Sequence, residues 1–218
     1  MQKGAQPLKF FEQTDFAYNR GITLKAVPFL DSYILFADDV FKTPDRVVEY
    51  LDCLKCIKSH KGGVGSRNGK NFLDGQHTVI AGHDRNRALL EFQIAGFFKV
   101  PYRPRIRLTF NQTRLLKPPP KNRYWWPHTD SYLNIVTYLN RGHSGKGGTT
   151  IYRQKAKQDP KLQEHAHIWR PGREFEELLC LTDRFNGLVA FPGEWFHGPT
   201  IEGEFFLNHT RYTEVNFL

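Results

Sequence analysis

Apolar positions recur at helical spacing in the first half of the chain and as short runs between tight turns in the second. Residues 1–30 hold no clear period. Residues 32–41 read as a strand whose apolar run is Tyr33, Ile34, Leu35 and Phe36. Thr43-Pro44-Asp45 is a helix start: a capping hydroxyl, a proline at the first helical position and an acid in the first turn. Val47, Leu51 and Leu54 follow at helical spacing, which predicts one face packed on a sheet. Residues 84–98 read as a second helix, with Ala88, Leu89, Phe92 and Ile94 or Ala95 facing inward. Residues 105–113 alternate Ile106, Leu108 and Phe110 with Arg105, Arg107 and Thr109, the pattern of a strand with one wet face. Lys117-Pro118-Pro119-Pro120-Lys121 is a stiff extended connection. Strand-like runs then come at 178–181, at 187–191 before a Pro-Gly turn, and at 211–218.

Two helices followed by several strands predict an α+β chain. The strands are expected to close into a double-stranded β-helix (jelly-roll) barrel, with the N-terminal helices packed on its major sheet. The length of 218 residues suits one domain with a sizeable core. Residues 1–104 would supply the N-terminal strand and supporting helices, and 105–218 the barrel. Residues 153–177, polar and carrying Glu164, His165, His167 and Trp169, read as a long insertion between strands. The glycine-rich stretch 62–70 is not a phosphate loop, because Val64 and Asn71 stand where glycine and a magnesium-binding hydroxyl are needed; it reads as a loop over the site mouth. No repeat and no second domain is visible.

The net charge of +9 is scattered rather than striped, which is a solvated basic surface that would also favour an anionic small molecule. No apolar run is long enough to span a bilayer, and the first residues lack the apolar core of a signal peptide. Three cysteines without framework spacing fit a reducing cytoplasm. Cys53 and Cys56 share one helix without a second pair, and read as small apolar filler.

The candidate chemistry begins at Tyr124-Trp125-Trp126-Pro127-His128-Thr129-Asp130. On an extended chain His128 and Asp130 point the same way, which brings an imidazole beside a carboxylate. A second imidazole, His197, follows the Pro192-Gly193 turn. Two histidines and one carboxylate on one face make an open Fe(II) site. Arg211 and Thr213 lie two apart on the closing strand, and their guanidinium and hydroxyl suit a carboxylate. Glu194 and His197 have the spacing of helical di-iron ligands, but Pro192 and Gly193 argue against a helix there.

The order His-x-Asp, Gly147-Gly148 before a strand, His197-Gly198-Pro199, then Arg211-x-Thr213 resembles the Fe(II)- and 2-oxoglutarate-dependent oxygenases. The nearest branch by motif is the prolyl-hydroxylase-like one, and the resemblance covers about residues 105–218. It implies Fe(II) held by His128, Asp130 and His197, with 2-oxoglutarate as cosubstrate on Arg211, Thr213 and Tyr124, and O2 as oxidant. Oxidative decarboxylation to succinate and carbon dioxide would then drive hydroxylation of a C–H in a small-molecule or peptide substrate. Trp125, Trp126, Tyr132 and Trp195 flank the ligands and would either line a substrate wall or fill the core. Two other readings compete: a non-redox cupin-like barrel that binds an acidic ligand, and a basic nucleic-acid-binding accessory protein.

Overall fold

The computed structural model describes residues 11–54, 72–130, 132–141, 147–155, 169–201 and 205–218. The 62–70 stretch, Cys56, and the Glu164, His165 and His167 part of the 153–177 insertion lie outside them. The chain is mostly β, with few helices. Strands β1 (Lys25–Phe29), β2 (Ser32–Ala37), β3 (Phe72–Ile80), β4 (Arg107–Leu115) and β5 (Arg123–Trp125) come first. They are followed by β6 (Leu133–Tyr138), β7 (Thr149–Gln154), β8 (Trp169–Pro171) and β9 (Phe175–Leu181), then β10 (Gly187–Pro192), β11 (Phe196–Pro199) and β12 (Arg211–Phe217). A seven-stranded sheet runs β1-β2-β10-β6-β12-β4-β3, a three-stranded sheet β11-β7-β9, and β5 pairs with β8. All these pairings are antiparallel. From β6 onward the chain passes from the large sheet to the small one and back, so that the two sheets share one interior.

Alternation along each central strand decides what that interior contains. On β6 and β10, Leu133, Ile135, Leu188 and Ala190 face the helices, whereas Val136, Tyr138, Val189 and Phe191 face the small sheet. Helix α1 (Pro44–Cys53) buries Val47 and Leu51 against the outer face, as its spacing predicts. Cys53, at its end, is exposed rather than packed as filler. Helix α2 (Arg85–Phe98) is capped by Asp84, whose carboxylate accepts from Asn86 N and Arg87 N. Its buried face differs from the expected one. Leu89 and Phe92 are 54% and 60% exposed, and Arg87, Leu90, Glu91, Ile94 and Ala95 are inside. Apolar residues surround this helix, so periodicity does not orient it. Polar partners do: Glu91 accepts from Tyr102 and Asn216, and Arg87 donates to the carbonyls of Gly82 and Arg105.

The strand expected at 32–41 stops at Ala37, and β1, β3 and the short paired strands β5 and β8 appear where no pattern announced them. β1 carries Pro28 and is largely exposed, as suits an edge strand. β3 follows the glycine-rich stretch and pairs along the whole of β4. Pairing also reaches into both ends of 153–177: β7 extends to Gln154, β8 joins β5, and β9 begins at Phe175. Among the described residues no helix is long and apolar enough to cross a membrane.

Candidate metal centre

His128 and His197 sit opposite one another in an antiparallel bridge, each backbone N–H donating to the other's carbonyl at 2.9 and 2.8 Å. Directly opposed residues point to the same side, and the two rings lie with centroids 4.5 Å apart. Asp130 is fixed by its N–H to Gly193 O at 2.7 Å. Gly193 must be glycine, because a Cβ there would overlap the carbonyl oxygen of Tyr132. The close approach of these two turns brings the carboxylate to the imidazoles. Asp130 Oδ2 is 3.2 Å from His197 Nε2 and 3.8 Å from His128 Nε2. One ligand atom from each of the three residues lies within 4.8 Å of the others.

The tautomers are set by the backbone. His128 Nδ1 donates to Trp126 O at 2.7 Å, and His197 Nδ1 donates to Trp195 O at 2.8 Å. Both Nε2 lone pairs are therefore turned toward the carboxylate, the state a metal-binding imidazole needs. Asn134, on the same inward face of β6, reaches His197 Nε2 at 3.1 Å. Burial alone would push the Asp130 carboxyl up, but when the two imidazoles are protonated the hydrogen bond from His197 and the charges of His128 and His197 outweigh it and hold its pKa below the ordinary value. Two imidazoles and one carboxylate, converging in one half-buried place, fit a divalent transition metal.

Trp126 adopts φ +45°, a turn that aims its carbonyl at His128 and lays its ring on the imidazole at 4.6 Å and 23°. Trp125 points the other way, into a small core with Leu115, Ile201 and Phe206, edge-on to Trp169. Trp195 donates Nε1 to Asp31 at 3.2 Å and packs on Phe29. Tyr132 is 66% exposed. Tyr124 rests against the Tyr152 ring at 4.9 Å; burial, then Glu177 beside it, pushes its hydroxyl pKa up. Glu194 is exposed and takes no part in the metal group.

Arg211 and Thr213 are buried and face the interior from β12. The guanidinium donates Nε to Gly147 O at 2.6 Å and Nη2 to Gly148 O at 2.9 Å, with Nη1 3.3 Å from Thr213 Oγ1. A Cβ on Gly148 would overlap Leu181 O, so the glycine pair is what lets this loop pass close enough to present its carbonyls to Arg211. Tyr138 lies beside the guanidinium and donates its hydroxyl to Thr149 at 2.8 Å. Asn134, Tyr138 and the two glycine carbonyls were not singled out by sequence reasoning. The even-numbered alternation of β6 was the signal available for the first two.

No family model matches the chain, and no curated protein matches it. Solved structures similar to it include a prolyl-4-hydroxylase from Pseudomonas putida (16% identity, TM-score 0.33, 69% of this chain against 74% of that one). Another is the Fe(II)/α-ketoglutarate-dependent dioxygenase TqaL (13%, 0.32, 70% against 69%), and a third is IDO from Bacillus thuringiensis (11%, 0.32, 66% against 74%). With likeness this low, the functional reading stands on the chain's own geometry.

Proposed function

We propose that this chain is an Fe(II)- and 2-oxoglutarate-dependent oxygenase on a double-stranded β-helix. It would hydroxylate a C–H of an amino-acid, peptide or other small-molecule substrate and release succinate and carbon dioxide. One observation carries this reading: the Nε2 atoms of His128 and His197 converge with Asp130 Oδ2 while both Nδ1 atoms are held by backbone carbonyls. A three-residue facial set leaves positions open for cosubstrate and oxygen. Bound Fe(II) supplies the oxygen chemistry. The chain's own part is to hold, orient and shield. Arg211 is the buried cation for the distal carboxylate of 2-oxoglutarate. Its Nη1 lies 3.3 Å from Thr213 Oγ1 on the same interior face, and these two groups would bind that carboxylate together. Trp126, stacked on His128, would border the substrate, and Tyr124 would contribute to the cosubstrate side.

The test is anaerobic addition of Fe(II) and then 2-oxoglutarate, followed in the visible range. The reading expects a charge-transfer band that saturates with 2-oxoglutarate, and succinate release once oxygen is admitted. Metal binding with no response to 2-oxoglutarate would instead favour the non-redox cupin-like barrel.

A further inference from the structure

On the other face of the large sheet, behind the His128–Asp130 turn, lies a cavity of about 680 Å³. Its apolar surface includes Phe98, Val100, Leu133 and Leu218, and Leu133 and Leu218 belong to the helix-side core. Arg103, Arg105, Tyr132 and Glu194 also line it. The metal ligands face the opposite side, and the two places adjoin at the turn of Gly193. The size is that of a small-molecule site, roughly 300–1,000 Å³.

The segment that carries the two arginines is held in place by buried groups. Tyr102 donates its hydroxyl to Glu91 at 3.3 Å, and the carbonyl of Arg105 accepts from Arg87 Nη2. The carbonyl of Ile106 accepts from Ala81 N at 2.9 Å. The Arg105 guanidinium is oriented by Asn216 Oδ1 at 2.9 Å, and Asn216 in turn donates to Glu91. Arg87 and Glu91 are 2% and 3% exposed, and Arg87 Nε and Nη1 have no hydrogen-bond partner among the described residues. Burying a charged pair this incompletely is costly. What it achieves here is a rigid path for a segment without regular structure. Arg103 and Arg105 themselves are exposed and form no ion pair with a carboxylate among the described residues. One oriented cation, Arg105, and an exposed one, Arg103, beside an apolar floor and against one lining carboxylate match a ligand with an anionic head and an apolar body.

We propose that this cavity binds a small amphiphilic anion, its carboxylate or phosphate head on Arg103 and Arg105 and its apolar body on Phe98, Val100 and Leu133. The site is distinct from the metal centre and does not depend on the oxygenase reading. Calorimetric titration of the metal-free protein with decanoate and with decyl phosphate, below their micelle concentrations, tests it. Decanol is the uncharged control. Saturable one-to-one binding of at least one anion is expected, and the tighter of the two identifies the head group. Arg103→Gln breaks no internal bond of the described residues and should weaken that binding at least tenfold, and Arg103→Gln/Arg105→Gln more. Fe(II) binding should be unchanged in both. Absence of anion binding, decanol binding as tight as the anions, or full affinity in Arg103→Gln would each overturn the proposal.

Discussion

Glu214 gives the chain a pH dependence that can be worked out from its surroundings. It lies on β12 between the strand positions that face the interior, and its side chain is 1% exposed on the helix side. Oε2 accepts from Thr137 Oγ1 at 2.8 Å and from Tyr18 OH at 3.1 Å, while Oε1 has no hydrogen-bond partner among the described residues. Burial is the main cause that raises its pKa from an ordinary 4.5 to about 7; the Thr137 and Tyr18 hydrogen bonds and Arg87 act against this, and Glu91 adds to it. Between those two values the folded chain holds a proton that the unfolded chain has released, so stability falls as pH rises through the window and levels off above it. A rise of about 2.5 pH units at about 1.36 kcal/mol each is worth on the order of 3 kcal/mol. Glu214→Gln keeps an acceptor for Thr137 and Tyr18 and removes the titration. Urea unfolding of both metal-free proteins at pH 5, 6, 7 and 8, at one ionic strength, isolates the effect as the difference between them. That difference should grow with pH in favour of Glu214→Gln, by about 2–3 kcal/mol across the series. Parallel stability curves would show that Glu214 does not titrate in this range and would refute the reasoning.

Arg211→Lys should raise the apparent 2-oxoglutarate constant by tens to thousands of fold, the equivalent of roughly 2–5 kcal/mol, because an ammonium cannot hold two carbonyls and a carboxylate at once. Titration of the iron-loaded protein by its charge-transfer band measures this, and Fe(II) affinity should not change. Gly193→Ala forces a methyl into the Tyr132 carbonyl and should lower the urea unfolding free energy by about 1–3 kcal/mol, with weakened metal binding, since Asp130 is fixed through the Gly193 carbonyl.

The site was more legible in the sequence than the scaffold around it. His128, Asp130 and His197 could be found because strand alternation and a Pro-Gly turn are local rules, and the structure brings their side chains together. The face of α2 was not legible. Leu89 and Phe92 satisfy a helical period as well as Leu90 and Ile94 do, and only long-range partners, Tyr102 and Asn216 with Glu91, fix which face turns in. β3 was missed because Asp74 and Gly75 interrupt its apolar pattern; its existence depends on β4, which lies far along the chain. The roles of Trp126 and Trp195 were half legible. Both flank the ligands in sequence, but what orients the histidines is their backbone carbonyls, which no side-chain pattern reveals.

The central claim is a three-residue metal site, and metal stoichiometry tests it most directly. Anaerobic Fe(II) titration followed by metal analysis of the desalted protein should give one ion per wild-type chain. His128→Ala, Asp130→Ala and His197→Ala should each lose stoichiometric binding while keeping the wild-type circular dichroism. Full iron occupancy in the Asp130→Ala/His197→Ala double variant would contradict the account.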